Sequence, residues 1–126
     1  MPPKDSNEQL GSPEETIEEQ VRNQTGQKKI RVRIDEGDVV TTYASGFRPV
    51  VTPEEVILDF GLNIPRLTGS KDVPHEVVFK VNNRIAMNYY SAKRVALTLV
   101  QIVRRYEDRF GEIELNAVKR QTSKKS

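Results

Sequence analysis

Cysteine and tryptophan are absent from this chain, and histidine occurs once. Without cysteine there are no disulfides, thiolate metal sites, iron–sulfur clusters or cysteine nucleophiles. A single histidine excludes multi-histidine metal sites and leaves His75 alone for histidine-based acid–base work. Apolar runs are short as well. None reaches the roughly 18 residues of a transmembrane helix. The start, MPPKDSNEQLGSPEE, lacks the apolar stretch of a secretory signal. A cytoplasmic location is the expectation, toward which the missing cysteines are neutral. The 126 residues leave room for one ordinary domain and hardly two.

What is present is charge, unevenly placed. The net charge is +2, yet residues 1–27 carry net −4 and residues 116–126 net +4, with +2 between them. The acidic end is poor in apolar residues. Leu10, Ile17 and Val21 cannot offset an ordering cost of about 1–2 kcal/mol per residue. A disordered acidic tail is expected over 1–27. Ser12-Pro13-Glu14-Glu15 reads there as a capping box with proline at the first helical position, which predicts a short helix over 13–22. The basic end, Lys119-Arg120-Gln121-Thr122-Ser123-Lys124-Lys125-Ser126, has no apolar residue, so residues 116–126 are expected to be disordered too.

Between the tails, residues 28–115 read as a single domain. Ile30, Val32 and Ile34 alternate with Arg31 and Arg33, the period of a half-buried strand. Asp35-Glu36-Gly37-Asp38 is a turn. Val39–Val51 favours a second strand, with a bulge at Gly46 and an edge or break at Pro49. Thr52-Pro53-Glu54-Glu55 places proline where a type I turn wants it. Val56, Leu58 and Phe60 mark a third strand that Gly61 ends. Residues 62–75 read as a long loop. In 76–88 the odd positions Val77, Phe79, Val81, Ile85 and Met87 are apolar. One strand fits that parity, and a hairpin at Asn82-Asn83 competes.

The clearest element is a helix over 89–110. Asn88 is its N-cap and Gly111 its terminating glycine, with Arg104, Arg105 and Arg109 near the negative end of its dipole. Ala92, Val95, Ala96, Leu99, Ile102, Val103, Tyr106 and Phe110 form its apolar stripe. Leu97 and Val100 lie on a shoulder beside it with Lys93 and Arg104, so the apolar sector is wider than one sheet contact needs. Leu97, Val100 and Arg104 are therefore the candidate interface.

Several blocks at this spacing resemble a small bacterial and archaeal family, a domain of unknown function. They are Tyr43–Phe47, Thr52–Gly61, Arg84–Met87, Ala92–Val95 and Tyr106–Ile113. The similarity covers residues 40–115. Ser45 stands for the family's asparagine, and Asn88-Tyr89-Tyr90 for its Ser/Thr-Pro helix start. The resemblance implies no activity. It favours one continuous strand through Asn82-Asn83, because the family runs directly through that point.

Residues that could carry chemistry have plainer explanations. Asp59 on its strand reads as a solvent-face residue or the partner of Arg31, Arg33 or Arg84. Asp35, Glu36 and Asp38 could hold a divalent cation, but lack regular ligand spacing, and turn chemistry accounts for them. His75 has no triad companions. Thr68-Gly69-Ser70-Lys71 lacks the setting of a phosphate loop. Tyr89 and Tyr90 stand among Arg84, Lys93 and Arg94, where rings and cations could bind nucleic acid together with Lys119, Arg120, Lys124 and Lys125. Packing of one ring at the helix–sheet junction is the simpler account.

The fold expected is α+β: an antiparallel sheet of three to four strands, then one long C-terminal helix packed on one face. Ile30/Val32/Ile34, Val56/Leu58/Phe60 and Val77/Phe79/Val81 are expected to set that face. The function expected is that of a non-enzymatic homo-oligomeric interaction or adaptor protein, a dimer, with no cofactor, catalytic residue or metal. A nucleic-acid-binding module and a holdase resembling SecB at fold level are the alternatives.

Overall fold

A computed structural model describes residues 15–67 and 74–125. The chain divides into two units, residues 33–94 and the remainder, so that the division falls within the long helix.

The first unit holds a three-stranded antiparallel meander. Strands β1 (Gly46–Val51), β2 (Glu55–Leu67) and β3 (Pro74–Asn88) lie in the order β1-β2-β3. The Thr52 side chain makes the first turn. Its hydroxyl oxygen accepts from the amides of Glu54 and Glu55 at 3.2 and 3.0 Å, while the Thr52 amide donates to the Glu55 carbonyl at 2.9 Å. Pro49 lies on β1, an edge strand, where a missing amide is tolerated.

Three expectations about this sheet need correction. First, β2 does not stop at Gly61. It continues through Leu67, and Pro65 pairs with Val77. Beyond the reach of β1, β2 has β3 on one side only, the edge setting in which proline is compatible with a strand. The expected loop over 62–75 thus includes strand from both sides; its Thr68–Lys71 motif lies outside the described residues. Second, Gly46 opens β1 in regular register with Gly61, without a bulge. The bulge is in β3. Phe60 pairs with Asn83 and Gly61 with Val81, leaving Asn82 as the extra residue. One strand runs through Asn82-Asn83, as the family resemblance favours. Third, that extra residue reverses the alternation of β3. Met87 and Ile85 pair with Val56 and Leu58, whereas Val81, Phe79 and Val77 pair with Gly61, Asn63 and Pro65. The three valine and phenylalanine positions therefore share a face with Asp59, opposite to Leu58 and Phe60.

Residues 30–34 form no strand. Alternation alone does not make one, because the backbone needs a ladder to pair with. Val39–Ser45 is likewise outside the sheet. It runs beside it, with the Ser45 amide donating to the Gly61 carbonyl at 2.9 Å. Val40, Thr42 and Ala44 line a shallow cleft with Phe60, Asn83 and Ile85, so their alternation has a physical counterpart.

The remaining elements are helical. Helix α1 (Ile17–Thr25) is capped by Thr16, whose hydroxyl accepts from the Glu19 amide at 3.1 Å while the Glu19 carboxylate accepts from the Thr16 amide at 3.2 Å. Thr16 and Glu19 form the capping box of α1; the box expected at Ser12 lies outside the described residues. Gly26, in the left-handed region at φ 77°, closes the helix. Helix α2 (Tyr89–Phe110) begins and ends as its caps require. The Asn88 side chain accepts from the Ser91 amide at 2.7 Å, and Gly111 at φ 100° donates to the Glu107 carbonyl at 2.8 Å. The basic end, read as disordered, carries helix α3 (Ala117–Lys125). Asn116 caps it, accepting from the amides of Val118 and Lys119 at 2.9 and 3.2 Å. The long helix is thus not the last element.

Among the described residues no apolar side chain is fully buried. Val56, Leu58, Phe60 and Met87 on one sheet face are half-buried, while Phe47 and Val51 on that face are exposed. No residue of α2 is buried, and the large side chains of its stripe, from Val95 to Phe110, are 39–66% exposed.

Candidate interaction surface

Among the described residues, the one buried polar or charged side chain is Asp59, at 0% exposure. Register explains its surroundings. Asp59 pairs with Arg48 of β1 and with Arg84 of β3, so the three side chains form a row across the sheet. Arg84 holds the carboxylate with both arms of its fork, Nε to Oδ1 at 2.7 Å and Nη2 to Oδ2 at 3.2 Å. Arg48 Nη2 reaches Oδ2 at 2.5 Å. Both arginine side chains are more than half exposed, whereas the carboxylate they hold is fully buried. Hydrogen bonds from Arg84 and then Arg48 hold the Asp59 carboxyl down at about 2, against an ordinary value of 3.8. The hydrogen bonds to Asp59, and then its charge, raise the already high Arg84 pKa.

Of the partners expected for Asp59, the structure pairs it with Arg84, whereas Arg33 of the same unit does not reach it. Arg48 was missed. The signal was available: a turn centred on Pro53-Glu54 fixes Val51 opposite Val56, and counting back places Arg48 opposite Asp59. A lowered carboxyl pKa has a sign. The ion-paired Asp59 contributes stability above the ordinary carboxylate range and loses it as pH falls from about 4 through about 2. Asp59→Asn should therefore lower the melting temperature at neutral pH and flatten the acid limb of a stability–pH curve. An acid limb equally steep in wild type and variant would contradict the assignment.

The cluster proposed for nucleic acid is largely engaged within its own unit. Arg84 serves Asp59. The Tyr89 hydroxyl donates to the Thr52 carbonyl at 2.8 Å and so ties the first turn of α2 to the β1–β2 turn. Arg94 lies 4.6 Å over the Tyr90 ring and donates to its hydroxyl at 2.5 Å. Lys93 stands on the exposed surface of α2. In the other unit, Lys119 and Arg120 lie on α3, where Arg120 donates to the Glu114 carbonyl at 3.4 Å. The side chains of Lys124 and Lys125 lie outside the described residues, as does that of His75.

The acidic turn is held by its own hydrogen bonds. Asp35 Oδ1 accepts from the Gly37 amide at 2.9 Å, and the Val39 amide donates to the Glu36 carbonyl at 3.2 Å. Among the described residues no group of three or more acidic or histidine side chains is placed to hold a metal ion, and no helix is long and apolar enough to cross a membrane.

The helix shoulder has a definite shape. Leu99, Val100, Val103, Arg104 and Glu107 line a shallow, mostly apolar groove along α2. It takes in Val100 and Arg104 of the candidate interface and adds Glu107, but not Leu97. Glu107 also accepts from the Ile113 amide at 3.0 Å, which fixes the chain leaving the helix.

No curated protein and no solved structure matches this chain. The family described as "protein of unknown function (DUF3467)" matches residues 6–115, and the chain is a member of that family.

Proposed function

We propose that the chain is a non-enzymatic homo-oligomeric interaction protein, an adaptor that works as an assembly of at least two copies. One observation carries this reading: a sheet and a 22-residue amphipathic helix coexist with no fully buried apolar side chain among the described residues. Regular structure must offset about 1–2 kcal/mol of backbone entropy per residue. The usual source is apolar burial, about 1.5–3 kcal/mol for each Val, Leu, Ile or Phe side chain. The stripe residues Val95, Leu99, Ile102, Val103 and Phe110 alone represent a sum comparable with the roughly 5–15 kcal/mol stability of a domain. In the assembled protein that stripe covers a sheet face, Leu58 and Phe60 side first. Static light scattering on the wild type tests the reading. A mass of two or more chains at micromolar concentration supports it, and a monomer overturns it.

Nucleic-acid binding is the second reading, supported by Lys119 and Arg120 on α3. It predicts an affinity that falls steeply with salt and is abolished by deleting residues 117–126. Binding that survives both would instead favour the Arg84/Tyr89/Lys93 region. A holdase role is suggested only by the order of elements, a meander followed by a long helix. An apolar face left open in the purified oligomer would favour it.

A further inference from the structure

We infer that the shoulder of α2 is a two-fold contact in which the helices of two copies run antiparallel, crossing at Val100. The inference rests on the oligomeric reading above and specifies its geometry. At 100° per residue, Lys93, Ala96, Val100, Val103 and Glu107 fall on one flank of the helix. This flank is distinct from the centre of the stripe, so a helix seated on a sheet face through Leu99 and Tyr106 still presents it to solvent.

The occupant is set by charge. Lys93 has no acidic residue three or four positions away on its own helix; Tyr89, Tyr90, Ala96 and Leu97 stand there. Glu107 lies fourteen positions on, about 21 Å along the axis and beyond contact within one helix. The first turn of α2 contains no acidic residue, and Lys93 and Arg94 follow it, although that end of the dipole favours negative charge. An antiparallel second copy resolves these features together. In such a pair like flanks meet, so residues whose numbers sum to 200 lie opposite one another. Lys93 faces Glu107 of the second copy, the reverse pair forms by symmetry, and Val100 meets Val100. The positive end of each dipole lies beside the negative end of the other. The groove lined by Leu99, Val100 and Val103 supplies the apolar centre and Glu107 its charged margin. A two-fold axis needs only this self-complementary patch, and two-fold dimers are the commonest closed assembly.

The absence of cysteine makes the test direct. Val100→Cys and Gln101→Cys each introduce one thiol into the full chain, the second about 100° around the helix from the first. Antiparallel helices about 8–10 Å apart bring residues at the axis within disulfide reach. Mild oxidation is expected to convert most of V100C, and little of Q101C, to covalent dimer. A second pair of variants reads the charges. K93E should weaken dimerisation about ten-fold, and adding E107K should restore most of that loss. A dimeric wild type whose V100C does not cross-link, or cross-links no better than Q101C, overturns the helix geometry while leaving the oligomeric reading intact. Failure of E107K to rescue K93E also overturns the geometry. A monomeric wild type overturns both.

Discussion

Gly61→Ala is expected to destabilise the protein by about 3 kcal/mol or more, the upper end of overpacking effects. A Cβ at this position would stand 2.0 Å from the Lys80 carbonyl oxygen and 2.9 Å from the Val81 Cα, both backbone atoms. Neither can swing aside. The close approach lies at the register shift where Asn82 is the extra residue of β3; the Asn82 side-chain Nδ2 donates to the Tyr43 carbonyl at 3.2 Å. The same chain offers an internal control. A Cβ on Gly46 would meet the Asn63 side-chain amide at 3.1 Å, a flexible end that can move. Gly46→Ala should stay within about 1 kcal/mol of wild type. Urea unfolding followed by circular dichroism compares the two, and equal midpoints would contradict the bulge geometry.

Val100→Glu is expected to raise the dimer dissociation constant by about 100-fold or more, equivalent to roughly 2.7 kcal/mol. Val100 is an exposed helix residue at the centre of the proposed contact, so a glutamate costs little in a separated chain. In the pair, two carboxylates meet at the axis, repel each other, and lose water without gaining a partner. Helix content at high protein concentration should be retained. Sedimentation velocity across a dilution series measures the change. An unchanged dissociation constant would move the interface to the sheet.

The legible parts of the fold were those written in local chemistry. Helix α2 could be read to the residue because Asn88 and Gly111 each satisfy backbone groups that any helix end leaves open. The Asp35–Asp38 and Thr52–Glu55 turns were readable for the same reason. Parity misled where one extra residue intervenes. Asn82 reverses the alternation of β3, and no local feature distinguishes a bulge asparagine from a strand asparagine. Pro65 read as a loop because its strand partner, Val77, lies across a chain reversal. Asn116 was a capping residue overlooked beside a run of lysines. At the site, Arg84 was one of three arginines named for Asp59, beside a solvent-face reading; the carboxylate is instead buried and held by two arginines, a cross-strand arrangement that composition does not show. The shoulder of α2 was visible as Leu97, Val100 and Arg104. Its acidic member, Glu107, emerges only when the groove and the helix flank are considered together.

As proposed above, this fold draws its apolar burial from a second copy. Folding and association are then one equilibrium, and stability depends on protein concentration. The direct measurement is the urea midpoint of the wild-type chain over a hundred-fold range of concentration, with light scattering on the same samples. The account predicts a midpoint that rises steadily with concentration and a mass of at least two chains below the transition. A midpoint independent of concentration, with a 14.4 kDa monomer throughout, would contradict it.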